Sequence, residues 1–134
     1  MRATLVVDGN NVVGAAADGW WRDRPAAVRR LLGRLRCYGR GRPERIVLVL
    51  DVRQADLPEG THDGIDVRYP DRPGRDAADG RIVELLEELA AGDPAPDAVT
   101  VVSSDRALAG AARHRGTAVI GAGAFLARLR DAGC

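Results

Sequence analysis

The stretch TLVVDGNNVVG, residues 4–14, opens with a short apolar run that ends in an aspartate, a glycine and two asparagines. Residues 4–7 have the β-branched and aliphatic character of a buried strand. On its own, Asp8 would be explained as a helix cap or a turn residue. Whether it has another role depends on how many other strands end in the same way.

The rest of the chain alternates short valine- and isoleucine-rich runs with segments of helical period. This pattern predicts βαβ units and a parallel sheet that is covered on both faces. After the first strand, the predicted strands are residues 45–51, 64–70, 98–105 and 117–121. The predicted helices are residues 25–38, 76–91, 106–114 and a last one that carries Phe125, Leu126 and Leu129. We therefore expect an α/β protein with three layers, α/β/α, and a mostly parallel sheet of about five strands.

Length and composition indicate one globular domain, residues 1–134, with room for a core that needs no disulfide or metal. Only Cys37 and Cys134 are present, without a CxxC motif, so we expect free thiols in a reducing cytosol. No apolar run reaches membrane-spanning length, and the first residues lack the layout of a signal peptide. We therefore expect a cytoplasmic protein that does not contact a membrane.

The basic residues are unevenly distributed, although the net charge is only +1. The chain has no lysine, and nine of its arginines lie within residues 22–45 against only two acidic residues. A coding bias explains the missing lysine but not the clustering. Arginine suits phosphate because its planar guanidinium donates paired hydrogen bonds. The segment is therefore either a phosphate-facing surface or an ordinary solvated helix face.

Aspartates follow three of the predicted strands at their carboxyl ends. These are Asp8, Asp51 and Asp105. In an open parallel sheet this edge is where ligands bind, and neighbouring strands lie about 4.8 Å apart. If the first strand is central, the three carboxylates share one edge. Asp76 and Asp79, spaced i, i+3, begin the helix expected to cross it.

Carboxylates gathered in this way repel one another, and no lysine is present to neutralise them. A hard divalent cation, Mg²⁺ or Mn²⁺, would resolve the conflict and would keep waters for an incoming phosphate. Four polar side chains beside these acids are expected to support the site: Asn10, Asn11, Ser103 and Ser104. Each acid also has an ordinary explanation, since Asp105 suits an N-cap, Asp79 a first helical turn and Asp51 a loop. Three strand-end aspartates together favour the metal site.

Five motifs occur in order along nearly the whole chain: VVDGNNVVG followed by Trp20 and Trp21, VLVLD, DVRY, AADGRI and VVSSDRAL. Together they resemble the NYN family of PIN-like ribonucleases, and within it the bacterial YacP-like branch. The resemblance implies a PIN-like, Rossmann-like fold and a metal-dependent RNA endonuclease. It places Asp8, Asp51, Asp79 and Asp105 at the family's acidic positions, as catalytic residues and metal ligands. Gly80 departs from the pattern, because the branch carries a second acid there.

The expected substrate is single-stranded RNA with little sequence preference. Of Trp20 and Trp21, one is expected to pack in the core and the other to stack on an unpaired base. The arginines expected to contact RNA are Arg29, Arg30, Arg34 and Arg106. Association with ribosomes is a further expectation, and the sequence leaves the choice between monomer and homodimer open.

Other enzyme classes fit less well. Asn10 stands where a haloacid dehalogenase phosphatase has its second aspartate, a receiver domain needs a lysine, and no P-loop motif is present. One alternative is a PIN-like module that is weakened at Gly80 and binds RNA or a ribosome-linked partner without cutting. Another is a toxin-type PIN nuclease held by an antitoxin.

Overall fold

The computed structural model describes residues 3–74, 77–93, 95–96 and 98–134. Within these residues the chain forms one mixed sheet of six strands and five α-helices. The strands are β1 Ala3–Asp8, β2 Arg45–Val49, β3 Gly60–His62, β4 Ile65–Arg68, β5 Ala98–Val102 and β6 Ala118–Ile120. The helices are α1 Gly9–Ala15, α2 Arg24–Gly39, α3 Ala77–Ala91, α4 Arg106–His114 and α5 Ala122–Asp131. In this part of the chain, no helix has both the length and the apolar character that a bilayer crossing requires.

The strand order is β3-β4-β2-β1-β5-β6, with β1 at the centre of the sheet. β1 pairs in parallel with β2 and with β5, which confirms the neighbours expected for the first strand. The predicted α/β class and the mostly parallel sheet are confirmed. The predicted number of strands was too low, because β3 adds an antiparallel edge strand beside β4. Three residues with a glycine at the start carry too little periodicity to be recognised in a sequence.

Helices cover both faces of the sheet. The helices α1, α2 and α5 bury their apolar sides in a core that includes Leu35, Tyr38 and Phe125. On the other face, α3 and α4 pack Ile82, Leu85 and Leu108 against the valines of the central strands. The apolar side of α2 is buried and includes Val28, Leu31 and Leu32. The central strands β1 and β2 are thus enclosed between two helix layers, and their carboxyl ends are where the chain leaves the core.

The first helix after β1 was not predicted. It begins at Gly9, immediately after Asp8, and its start is pressed against β2. A Cβ atom at Gly9 would lie 2.6 Å from Cδ2 of Leu50 and 2.9 Å from the carbonyl oxygen of Val49. Glycine is therefore required for the close approach of α1 to the sheet. Two asparagines and a glycine in its first turn have low helix propensity, which explains why the sequence pattern did not indicate this helix.

The expectation of free thiols was wrong. Cys37 and Cys134 form a disulfide across 97 residues of sequence, with Cα atoms 5.8 Å apart. Cys37 lies near the end of α2, and Nε of Arg34 donates a 3.0 Å hydrogen bond to the carbonyl oxygen of Cys134. The disulfide joins the C-terminus to α2 near the edge of the sheet where the strands begin, opposite the aspartates. It removes the cysteine argument for a reducing cytosol, and the cytoplasmic location stays a prediction.

Candidate active site

Asp8 lies at the end of the central strand and is only 4% exposed. The hydroxyl of Ser103, at the end of β5, donates a 2.7 Å hydrogen bond to its Oδ2 atom. Burial and, to a smaller extent, the charges of Asp51 and Asp105 raise the pKa of Asp8 to about 6, against the lowering effect of the Ser103 hydroxyl. The structure thus brings two of the predicted aspartates, Asp51 and Asp105, near the buried carboxylate of the third, Asp8.

The two asparagines after Asp8 hold the loops on either side of it. Oδ1 of Asn10 accepts a 2.8 Å hydrogen bond from the backbone N–H of Asp51. Oδ1 of Asn11 accepts one of the same length from the backbone N–H of Ser104. The sequence analysis assigned both asparagines a supporting part in the site. In the structure their side-chain oxygen atoms hold the backbone next to the acids.

Asp51 and Asp105 also hold the starts of helices. Oδ1 of Asp51 accepts a 3.0 Å hydrogen bond from the backbone N–H of Ala78, in the first turn of α3. Oδ1 of Asp105 accepts a 2.9 Å bond from the backbone N–H of Leu108 and caps α4. The capping role considered for Asp105 is therefore real. Each of these two bonds engages only one carboxylate oxygen, and the second oxygen of the same residue takes no part in it.

Asp79, the fourth predicted acid, lies in the first turn of α3, next to the residue that Asp51 binds. It is half-buried and has an interaction of its own within the structure. The helix therefore reaches the carboxyl edge of the sheet, as expected. Asp76, its predicted companion, lies outside the described residues. Gly80 is exposed, and a Cβ atom there would meet nothing within 4 Å.

The two serines of the site have different partners. Oγ of Ser103 donates to Asp8 and accepts a 3.1 Å bond from the backbone N–H of Asp105, so it links two of the acids. Oγ of Ser104 accepts a 2.8 Å bond from the backbone N–H of Ala122, at the start of α5. Ser104 thus ties the site to the last helix and keeps its own hydroxyl hydrogen for a further acceptor.

The donor set is compatible with a hard divalent cation. All of its charged groups are carboxylates, and the buried one has a raised pKa because burial and two like charges disfavour its ionised form. Among the described residues, no three acidic, histidine or cysteine side chains are close enough to hold a metal by themselves. Mg²⁺ does not require such a cluster, because proteins usually bind it through one or two carboxylates and several retained waters.

The aromatic and basic residues predicted to contact RNA are divided between several environments. Trp20 packs against the core, whereas Trp21 is 62% exposed in the short 3₁₀ helix that precedes α2. Three arginines of α2 already have partners: Arg29 pairs with Asp56, Arg30 pairs with Asp18 and Arg34 binds the C-terminal carbonyl. Arg106 is exposed, directly after Asp105.

Three further residues in or near the site were missed from the sequence. Gly9 permits the approach of α1 described above, and Val52, next to Asp51, is 61% exposed. Arg113 lies on the same side of α4 as Arg106, seven residues further on. Helical spacing could have identified Arg113, because positions i and i+7 share a helix face. An exposed valine after a strand-end aspartate gives no comparable signal.

Known proteins and structures similar to the chain agree with this architecture. The family model for the YacP-like NYN domain matches residues 5–133. A mutant form of Rae1 (YacP) from Bacillus subtilis has a similar crystal structure, with a TM-score of 0.77 and 23% identity over 99% of this chain and 77% of that one. The crystal structure of Rae1 itself gives a TM-score of 0.72 and 22% identity over 97% and 75%.

At this level of identity, the likeness to the two crystal structures concerns the fold. No curated protein matches the chain. The family model covers nearly the whole sequence, including the strand-end aspartates Asp8, Asp51 and Asp105 and the helix that carries Asp79. The chain therefore belongs to the YacP-like NYN domain family, which has a PIN-like nuclease-type fold.

Proposed function

We propose that the protein, acting as a single domain, is a divalent-metal-dependent endoribonuclease that hydrolyses phosphodiester bonds in RNA. The observation that carries this proposal is the environment of Asp8. A carboxylate that is 4% exposed and surrounded by the charges of Asp51 and Asp105 is unfavourable as it stands. A stable fold would avoid such an arrangement unless a cation or a reaction required it.

Asp8 and Asp105 are the proposed principal ligands of Mg²⁺ or Mn²⁺, with Asp51 and Asp79 as secondary ligands or as residues that orient water. When bound, the cation would supply the positive charge that activates a water and stabilises the charge developing on the phosphate. With a pKa of about 6, Asp8 is largely ionised at neutral pH and can act as a ligand. The Ser103 hydroxyl supports the ionised form by donating to it.

The remaining residues of the site act by positioning. Asn10 and Asn11 fix the backbones of Asp51 and Ser104, so the acids of three strands are held in one arrangement. Asp51 in turn holds the first turn of α3, which carries Asp79. Such preorganisation lowers the cost of assembling the charged site when the cation and the phosphate arrive.

Single-stranded RNA is the proposed substrate. Trp21, exposed beside α1 and α2, is suited to stack on an unpaired base, and Arg106 adjoins Asp105 at the edge of the site. Arg29 and Arg30 would have to exchange exposed ion pairs for phosphate, which costs little because such pairs are weak. Arg34 is the least suitable of the three, since it holds the C-terminus. A cytoplasmic location and association with ribosomes belong to the same proposal.

The alternative is an RNA-binding module that no longer cuts. It is favoured by Gly80, which leaves the first turn of α3 without the second acid of the branch, and by the lack of a closed metal cage among the described residues. The two functions differ in one readout. Circular single-stranded RNA, which has no ends for an exonuclease, should be opened by the protein with Mn²⁺ and should stay intact with EDTA. Binding of the circle without opening under any divalent cation would favour the module.

A further inference from the structure

A groove of about 350 Å³ lies beside the acidic cluster, between α4 and the carboxyl ends of β5 and β6. Its lining includes Ser103, which binds Asp8, and Ser104, whose hydroxyl retains a hydrogen to donate. Arg106 and Arg113 border it from α4. The groove therefore adjoins the proposed active site at Ser103.

No carboxylate within the described part of the chain neutralises the two arginines of the groove. Among the described residues neither Arg106 nor Arg113 has an ion-pair partner, whereas seven other arginines pair with carboxylates, namely Arg29, Arg30, Arg36, Arg45, Arg68, Arg81 and Arg115. Both guanidinium groups belong to exposed residues on one face of α4, at positions i and i+7. Their charges are thus available to an anion from outside the protein.

Gly110 leaves the space between the two arginines open. It lies on the same face of α4, at i+4 from Arg106, and a Cβ atom there would meet nothing within 4 Å. A group bound in the groove can therefore approach the helix backbone between the guanidinium groups. Two cations and a hydroxyl donor beside an uncovered glycine suit the negative charge and the acceptor oxygens of a phosphate group.

We propose that this groove binds a backbone phosphate of the RNA strand, beside the phosphate that is cleaved at Asp8. The inference rests on the proposed function, because the groove would hold the RNA strand where it leaves the acids that cleave it. Both arginines contact this phosphate, and Arg113 is the better probe because Arg106 directly follows the proposed ligand Asp105. Phosphate contacts of this kind set position and affinity without reading sequence.

The test is the salt dependence of binding. A fluorescent oligouridylate is titrated with protein in EDTA at several salt concentrations, for the wild type and for Arg113→Gln. For single strands the slope of log K against log salt changes by about 0.7 for each phosphate contact. We expect Arg113→Gln to reduce the slope by that amount and to weaken binding about fivefold, as for an exposed ion pair. Arg130→Gln, the same change in the last turn of α5, is the matched control and should leave the slope unchanged.

A second pair of variants separates charge from bulk. Gly110→Glu places a carboxylate between the two arginines and should weaken binding, whereas Gly110→Gln, of the same size but neutral, should weaken it much less. If Arg113→Gln leaves the slope unchanged while the wild type still binds and cuts RNA, the proposed phosphate contact in the groove is wrong and the proposed nuclease function stands. If the wild type binds no RNA at all, both the groove and the proposed function fail.

Discussion

The Ser103 hydroxyl donates a 2.7 Å hydrogen bond to Oδ2 of Asp8, and both side chains are almost completely buried. The bond favours the ionised carboxylate, while burial and the charges of Asp51 and Asp105 favour the protonated one. The pKa of Asp8, about 6, is the balance of these effects. Ser103 therefore helps to decide at which pH the central acid can bind a cation.

Removing this hydroxyl should raise the pKa of Asp8 further. In Ser103→Ala the buried carboxylate loses its donor, so its titration, followed by carbon NMR in metal-free protein, should have a midpoint above that of the wild type. The acid limb of RNA cleavage should move in the same direction. Ser104→Ala is the control, because that hydroxyl accepts from Ala122 and does not touch Asp8. Equal midpoints in wild type and Ser103→Ala would refute the role given to this bond.

The raised pKa also predicts how stability depends on pH. The folded protein holds the Asp8 proton more tightly than the unfolded chain, whose pKa is near 3.8, so the stability that Asp8 contributes to the metal-free protein should be lost as pH rises from about 4 to about 6. The shift corresponds to at most about 3 kcal/mol. Asp8→Asn should remove this loss and be more stable than the wild type at pH 7 in urea unfolding. Marked destabilisation of the variant at pH 7 would show that the ionised carboxylate is structural.

Asp66→Asn should change the stability of the fold in the direction opposite to Asp8→Asn. Burial alone would raise the pKa of Asp66, but hydrogen bonds and charges from Arg68 and Arg45 outweigh it and lower the pKa. The ionised carboxylate therefore stabilises the fold at neutral pH, and this contribution is lost only as pH falls below about 3.8. At pH 7 Asp66→Asn should be less stable than the wild type. If both variants shift stability in the same direction, the electrostatic account is wrong.

The close packing of Gly9 predicts another pair of outcomes. Gly9→Ala should destabilise the protein by about 1–3 kcal/mol, because the new methyl group would lie too close to Leu50 and to the Val49 carbonyl. Gly14→Ala lies in the same helix with nothing within 4 Å and should be neutral or stabilising by up to about 1 kcal/mol. Urea unfolding of the two variants measures the difference. A harmless Gly9→Ala would mean that α1 does not need this approach to β2.

Gly80 decides whether the site is limited by a missing acid. The position is exposed and open, so aspartate fits there. If its carboxylate improves metal occupancy, Gly80→Asp should cleave RNA faster than the wild type, most clearly at low Mn²⁺. Gly80→Asn, of the same shape but neutral, separates charge from helix propensity. Activity that appears only in Gly80→Asp would identify the natural protein as a binding module. Equal cleavage rates in all three proteins would show that Gly80 does not limit the activity.

The sequence was sufficient to predict the longer strands and the acids that directly follow them. Valine-rich runs located β1, β2 and β5, and the carboxyl-edge rule brought Asp8, Asp51 and Asp105 together. It was insufficient where tertiary contacts decide. The pairing of Cys37 with Cys134 depends on how α5 packs beside α2, and the bonds of Asn10 and Asn11 to backbone groups depend on the spacing of three strands. Neither leaves a periodic pattern in the residues themselves.

The most direct test of the central claim is the rate at which circular single-stranded RNA is opened in Mn²⁺ by wild type, Asp8→Asn and Asp105→Asn. Each substitution removes a proposed ligand, so both variants should lose nearly all activity. Circular dichroism must show that they remain folded, because Asp105 also caps α4. Asp23→Asn, which changes the cap of α2 instead, should retain activity. Opening of the circle by folded Asp8→Asn at the wild-type rate would contradict an active site built around Asp8.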